Sequence, residues 1–311
     1  MSGAVFVVAA ALLFAVNGSV SKLALDAGLA TTEIVQLRSL CSAVCFVLIA
    51  AVSPGSSLRA GRAELARLVV LGIAGIAMVS WLYFVGIDRL PAGIALLLEF
   101  LAPVFVVMWV RFVRGEHVSR RMWAALACCL GGLAMVARIG TGGGLDGVGV
   151  LAALGAAVAL AVYYLMGERT LVARDPISMS AWTFTAAAVF WLVVEPPWSF
   201  PWGRLDDLHH VPAPVDAAVP VWALVACIVV AGTVVPYLLV LNGLRRVGSA
   251  RAGLIGMSEP VLTAAVAWWV LDQRLAAIQV AGGLVVLAGI ALAETARRRS
   301  GAVAAAPVVP D

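Results

Sequence analysis

Two carboxylates inside apolar sequence are the residues best suited to chemistry in this chain. Glu99 lies in a long apolar run four residues before Pro103, and Glu259 directly precedes Pro260 in a second run. An ionisable group at membrane depth usually faces a protein interior or a wet cavity, because lipid does not solvate it. Proline donates no backbone hydrogen bond and clashes with the carbonyl four residues earlier, so each motif predicts a broken helix. Such a site can bind a substrate ammonium group or a proton.

Further side chains are candidates for the same site. Arg38 lies about one turn inside the second apolar segment, where it extends to the membrane interface, attracts a substrate carboxylate or pairs with an acidic side chain. Asn17, in the first segment, can supply a hydrogen bond. Tyr83, Tyr163 and Tyr164 either form an aromatic cavity wall or pack in the core. Glu259 likewise either lines the cavity or is a structural residue at its break.

The chain that positions these groups has the composition of a polytopic membrane protein. Hydrophobic residues make up 63% of it and charged residues 12%, whereas soluble domains carry about 25% charged residues. A span needs about 20 mostly apolar residues, and the sequence contains roughly ten such segments. They lie near 4–25, 34–53, 65–87, 92–112, 121–139, 147–167, 177–195, 218–241, 252–271 and 275–294.

The second half of the sequence repeats the first. An offset of 157 positions aligns Pro103 with Pro260 and Gly132 with Gly289. If each half contains five spans, an odd number, the second half enters the membrane from the opposite side. We therefore predict an all-α membrane protein of about ten transmembrane helices in two inverted five-helix repeats. The repeats cover 4–139 and 147–294, and 295–311 is a disordered tail.

The charge distribution predicts an orientation. Most of the 21 basic residues lie in alternate loops and at the C-terminus. Because positively charged loops stay in the cytoplasm, both termini are predicted to be cytoplasmic. The net charge of +4 comes from arginines at segment ends and not from a basic face, so we expect no nucleic-acid partner.

Other ligand-rich segments do not predict a metal site or an active site. Asp206, Asp207, His209 and His210 fall in the longest loop, which is predicted to be solvated and extracytoplasmic. The five cysteines lie inside apolar runs without a C-x-x-C pair, which indicates packing. We therefore predict no metal, no cofactor and no catalytic residue. An intramembrane lipid-modifying enzyme is the alternative from another class, but the histidines all fall in loops.

The duplicated pattern resembles the EamA-type transporters of the drug/metabolite transporter superfamily. The resemblance rests on Leu-Ala-Pro-Val-Phe at 101–105 with Gly-Glu at 115–116, and on Glu-Pro-Val-Leu at 259–262 with Asp-Gln-Arg-Leu at 272–275. A glycine-rich segment follows each motif. The sequence departs from the family pattern at Gln273, where the family often has Glu. Leu98-Glu99-Phe100 is also similar to the threonine/homoserine exporter branch.

This resemblance implies ten helices around a central cavity that carries a small metabolite by alternating access, usually outward. We expect an exporter of amino acids or similar small metabolites in the cytoplasmic membrane, in contact with lipid. Burial disfavours the charged form of a carboxylate, which makes proton coupling a further hypothesis. A facilitator or importer of another small solute, such as a sugar, nucleoside or drug, fits the same pattern. The sequence leaves the oligomeric state open.

Overall fold

The computed structural model describes residues 3–90, 92–136, 146–211, 216–271 and 276–304, most of them helical. The first half contains α1 (Gly3–Asp26), α2 (Thr31–Val52), α3 (Arg62–Gly72), α4 (Met78–Arg89), α5 (Ala92–Glu99), α6 (Ala102–Met108) and α7 (Arg120–Val136). The second half contains α8 (Gly147–Ala173), α9 (Pro176–Val194), α10 (Val221–Val229), α11 (Val235–Val247), α12 (Ser249–Gly256), α13 (Glu259–Leu271) and α14 (Ala277–Ala304).

Within the described part of the chain, six helical stretches are long and apolar enough to cross a membrane. They are Gly3–Asp26, Thr31–Val52, Arg62–Gly86, Gly147–Ala173, Pro176–Val194 and Val221–Val247. Large apolar side chains are exposed along them, including Leu48 and Leu151. Such a surface is suited to contact with lipid, so the chain is a multi-pass membrane protein. Shorter or interrupted helices occupy the other apolar segments.

Two of the long stretches contain a π-helical turn in their middle. Ile73–Ala77 joins α3 to α4, and Val230–Val234 joins α10 to α11. Each turn has a buried glycine, Gly75 or Gly232, against which a side chain from another helix packs closely. π-turns are rare overall, and those that occur are often at functional sites, so the residues that follow these two turns are candidates for a functional role.

Two segments are broken into pairs of shorter helices. The first break separates α5 from α6 and the second separates α12 from α13. At both breaks, backbone hydrogen bonds join residues three apart, as in a 3₁₀ turn, and not four apart as in an α-helix. Leu101 N donates to Leu98 O at 3.2 Å, and Met257 N donates to Leu254 O at 3.2 Å. Each proline is the second residue of the helix after the break, where its missing N–H costs nothing. The sequence analysis predicts a broken helix at each proline, and in the structure each proline lies in the first turn of the helix that follows the break.

Helices α7 and α14 pack tightly side by side. A methyl group on Gly132 would lie 2.6 Å from the carbonyl oxygen of Gly282, and one on Gly289 would lie 2.9 Å from that of Ala125. Between these contacts, Cys129 Sγ lies 3.6 Å from Val286 O. Residue numbers rise along one helix as they fall along the other, so the pair is antiparallel. Small residues permit this close backbone approach.

The loop between α9 and α10 contains a short β-hairpin that the sequence analysis did not anticipate. Strand β1 (Leu208–Val211) pairs antiparallel with β2 (Ala217–Pro220), and 212–215 lie outside the described residues. His210 Nε2 lies 3.3 Å from Asp216 Oδ1 on this exposed hairpin. Among the described residues, no group of three or more His, Cys, Asp and Glu is placed to hold a metal ion.

At the C-terminus, α14 extends to Ala304, into the segment predicted as a disordered tail. The last part of that prediction, 305–311, lies outside the described residues.

Candidate functional site

The structure brings the two carboxylates of the broken helices together with Arg38. Glu99 is the last residue of α5, and Glu259 is the first residue of α13. The charged groups that act electrostatically on Glu99 are Glu259 and Arg38. Both glutamates are only partly buried, so each has access to a solute. Three helices that are far apart in sequence therefore converge on one charged centre.

Arg38 extends into the protein from α2. Its Nη2 donates a hydrogen bond to Ser80 Oγ at 2.7 Å, and Ser80 is buried on α4. Among the described residues, the buried Nε of Arg38 has no acceptor. The guanidinium group is therefore anchored at one nitrogen while another nitrogen is left without a protein partner. Of the roles that the sequence left open for Arg38, this geometry suits binding of a carboxylate, from a substrate or from an acidic side chain, better than extension to the membrane interface.

Phenol groups surround the charged centre. Tyr83 and Tyr164 both interact electrostatically with Glu99 and Glu259. Tyr237, which the sequence reasoning missed, interacts with both glutamates and with Arg38. Under the offset of 157, Tyr237 is equivalent to Ser80, but Ser80 was not a sequence candidate either, so the repeat alone does not point to Tyr237.

Tyr163 and Asn17 lie one layer farther from the charges. Tyr163 is buried, packs on Gly75, and meets Tyr237 edge to face with ring centroids 5.9 Å apart. Asn17 packs on Gly232, and its buried Oδ1 has no hydrogen-bond donor within the described part of the chain. The two side chains support equivalent π-turns, one in each half.

Pro103 contacts the position of Gly253 and so packs α6 against α12, while Pro260 is buried at the start of α13.

A second polar network ties the two halves together near the ends of their helices. Arg114 Nη1 donates to Glu168 Oε2 at 2.7 Å. Glu168 also accepts from the backbone N–H of Ser249 at 3.0 Å and from its hydroxyl at 2.9 Å. Arg114 belongs to the first half, and Glu168 and Ser249 belong to the second. We call this network the arginine latch; the sequence reasoning did not find it.

The central groups together suit a small molecule with charges of both signs. A guanidinium group pairs with a carboxylate, and a carboxylate pairs with an ammonium group. Tyrosine rings add apolar contact area and hydroxyl groups. Neither a nucleophile–base pair nor a metal cluster accompanies them among the described residues.

Comparison with known proteins identifies the family. The model of the EamA-like transporter family matches residues 1–138 and 147–295. The chain belongs to this family. The match confirms the resemblance drawn from the two proline motifs, and it points to a membrane transporter rather than an enzyme.

Curated relatives and a solved structure agree with this assignment. The threonine/homoserine exporter RhtA of Escherichia coli K12 is 27% identical over 252 residues, covering 78% of this chain and 76% of the exporter. The uncharacterised transporter YvbV of Bacillus subtilis 168 is 30% identical over 125 residues, covering 40% of this chain and 41% of that protein. One crystal structure superposes with a TM-score of 0.74 and 18% identity, over 96% of this chain and 98% of the other, which shows a shared fold.

Proposed function

We propose that this EamA-family protein is a secondary transporter that exports amino acids or similar small metabolites by alternating access, coupled to protons. The observation that carries the proposal is the meeting of Glu99, Glu259 and Arg38 at the two helix breaks. An α-amino acid has one ammonium and one carboxylate group, and this centre offers a partner to each. The similarity to a threonine/homoserine exporter supports the same class of substrate and the same direction.

The proposal includes two inverted five-helix repeats, 4–139 and 147–294, with both termini in the cytoplasm. The contacts between α7 and α14 support the inversion. Under the offset of 157, Cys129 is equivalent to Val286, the residue that it contacts. The contact of Gly132 with Gly282 is likewise equivalent to that of Gly289 with Ala125. Equivalent helices that pack antiparallel are expected from inverted repeats and not from parallel ones.

Alternating access requires that contacts between the halves form on one side of the membrane while they separate on the other. The helix breaks provide points at which α6 and α12 can move relative to α5 and α13. The arginine latch joins α8 and α12 to the segment between α6 and α7 of the first half, on the side that the arginine distribution assigns to the cytoplasm. We assign the latch to closure of this side, and its separation to opening of the centre toward the cytoplasm.

The proton hypothesis rests on Glu99. A carboxylate beside a second carboxylate is costly to ionise in a site of low dielectric, so a proton shared by the pair relieves repulsion. Arrival of a substrate ammonium group would replace that proton. Exchange of one for the other makes export dependent on a proton gradient.

The test is substrate movement in proteoliposomes, with threonine and aromatic amino acids, with and without a pH gradient. We expect the wild type to accumulate a substrate when a gradient is imposed, and Glu99→Gln to lose this response. Asp206→Asn is the control, since Asp206 is a carboxylate in the exposed loop between α9 and α10 and takes no part in the charged centre or the arginine latch. The control should behave as the wild type does.

Each other outcome changes the assignment. Substrate movement that ignores both the gradient and the Glu99 variant would make the protein a facilitator. Failure of every amino acid, with movement of a sugar, nucleoside or drug, would overturn the substrate class and leave the transporter assignment standing.

A further inference from the structure

A charged cavity lies away from the central site, where α3, α8 and α9 meet the loop after α2. Its volume is about 600 Å³, within the usual range for small-ligand sites. The charged residues that line it are Arg59, Arg67, Arg169, Arg174, Glu64 and Asp175. Four cations face two anions, so the cavity has an excess of positive charge. We call it the arginine pocket.

Arg174 forms part of the pocket wall, and all three nitrogens of its guanidinium group donate hydrogen bonds within the protein. Its Nε donates to Glu64 Oε1 at 2.7 Å, and its Nη1 and Nη2 each donate at 2.8 Å to the carbonyl oxygens of Ser57 and Arg59. Its side chain is 7% exposed. The loop before α3 is therefore fixed to the end of α8, which places Arg59 at the pocket.

Asp175 is also committed to the structure. Burial alone would raise the pKa of Asp175, but hydrogen bonds from Ser178 and Ser56 outweigh burial and hold that pKa below its ordinary range. Asp175 Oδ1 accepts from the backbone N–H of Ser178 at 2.9 Å and from Ser56 Oγ at 3.1 Å. Its charge thus caps α9 and anchors the loop.

Three arginines remain with guanidinium groups that are exposed. Arg59, Arg67 and Arg169 line the pocket, and no ion pair is formed by them within the described part of the chain. They approach it from three different elements: the loop after α2, α3 and α8. Arginine forms paired hydrogen bonds with phosphate oxygens, so three converging arginines fit a phosphate group better than a single-charged carboxylate.

The surroundings of the pocket favour a lipid phosphate over a soluble one. On α3, Val70 lies one turn beyond Arg67 on the same face, and it is 52% exposed. An apolar exposed surface therefore begins directly beside the guanidinium group, on a helix that is long enough to span a membrane. Basic pockets between transmembrane helices at the cytoplasmic side are suited to lipid headgroups. We propose that the arginine pocket binds the phosphate headgroup of an anionic phospholipid, with acyl chains lying along α3.

The test is lipid retention by the purified full-length protein, measured by native mass spectrometry after addition of phosphatidylglycerol or phosphatidylcholine. The variant is Arg59→Gln, Arg67→Gln and Arg169→Gln combined. The control removes three exposed arginines near the junction of α6 and α7: Arg111→Gln, Arg120→Gln and Arg121→Gln. A contact between one pocket arginine and the headgroup should contribute about fivefold in affinity, so loss of all three contacts should weaken phosphatidylglycerol binding about 100-fold, whereas the control arginines do not line the pocket. The single variant Arg169→Gln, at an exposed helix end, should show the fivefold step without risk to folding.

We expect the wild type and the control to retain phosphatidylglycerol in preference to phosphatidylcholine. Equal retention of the two lipids, or equal loss in the pocket variant and the control, would overturn the proposal. A third arm adds glycerol 1-phosphate without lipid. Binding of this soluble phosphate at the same arginines, with no retention of phosphatidylglycerol, would show that the pocket serves a soluble anion instead.

Discussion

The two broken helices share a geometry and differ in chemistry. The gap between α5 and α6 covers 100–101, and the gap between α12 and α13 covers 257–258, the same place after the offset of 157. The carboxylates do not follow this equivalence. Glu99 ends the helix before the first break, whereas Glu259 begins the helix after the second. Duplication has kept the backbone and changed the position of the charge.

This difference places the two carboxylates at helix ends of opposite polarity. A helix has a partial negative charge at its C-terminus and a partial positive charge at its N-terminus. Glu99 therefore sits at the end that disfavours a negative charge, and Glu259 at the end that favours one. We infer a division of roles, in which Glu99 carries the proton and Glu259 holds the substrate cation.

The largest expected effects separate these two roles. Glu259→Gln should weaken substrate binding about 100-fold, because loss of this carboxylate leaves the substrate cation unpaired at a cost of about 3 kcal/mol. It should reduce the response to a pH gradient without abolishing it, because Glu99 remains. Glu99→Gln should lose the gradient response. Substrate exchange in proteoliposomes, measured over a range of substrate concentrations with and without a pH gradient, gives both the substrate affinity and the gradient response. If the two variants share one phenotype, the division of roles is wrong.

A smaller effect tests the symmetric contact between the halves. Gly132→Ala should destabilise the protein by about 2 kcal/mol, because the added methyl group would press on the backbone of α14 at 2.6 Å. Gly131→Ala is the matched control, since nothing lies within 4 Å of its added methyl group. Thermal unfolding in detergent compares them. Equal melting temperatures would show that α7 and α14 are not packed as described.

The arginine latch is not duplicated by the repeat, because the position equivalent to Arg114 under the offset of 157 is Leu271. A variant of Arg114 therefore tests a contact that distinguishes the two halves. Arg114→Gln should weaken closure of the latch side by about 1.5 kcal/mol, or about tenfold, since a charged hydrogen bond is lost. The measurement is chemical labelling of a cysteine introduced by Ala250→Cys, next to Ser249, because this position becomes accessible when the latch opens. Arg111→Gln, one turn earlier and exposed, is the control. Unchanged labelling in Arg114→Gln would remove the latch from the mechanism.

The smallest effects concern the prolines. Pro103→Ala and Pro260→Ala should each slow transport about fivefold, because alanine lacks the fixed φ of proline and so holds the geometry of the break about 1 kcal/mol less firmly. Equivalent geometry predicts equal effects, apart from the extra contact of Pro103 with α12. Initial rates of exchange at saturating substrate are the measurement. A large loss in one variant alone would show that the breaks are not functionally equivalent.

Much of the architecture could be predicted from the sequence, because apolar segments of membrane length and a fixed repeat offset leave few arrangements. Glu99, Glu259 and Arg38 could be selected because ionisable residues inside such segments are rare. Their meeting at one centre could not be predicted, since it depends on how the helices pack.

The features that were missed have no local signal. Arg114 and Glu168 are 54 residues apart, and Glu168 and Ser249 are 81 apart, so no window of sequence contains the latch. The π-turns occur in uninterrupted apolar runs where an α-helix satisfies the same pattern. The β-hairpin is short and begins within a loop rich in polar residues, so composition favoured an irregular segment there.

The π-turns have a consequence for how such proteins diversify. A wide turn holds one residue more than a regular turn, and one residue rotates everything beyond it by about 100°. Ser80 and Tyr237 occupy the same position relative to the π-turn before them, and both interact with Arg38. Insertion or loss of a single codon in these turns would rotate the rest of the helix by a little more than a quarter turn and so bring different side chains to the centre. A change of helical phase at a π-turn therefore alters the side chains around the centre while the fold is kept.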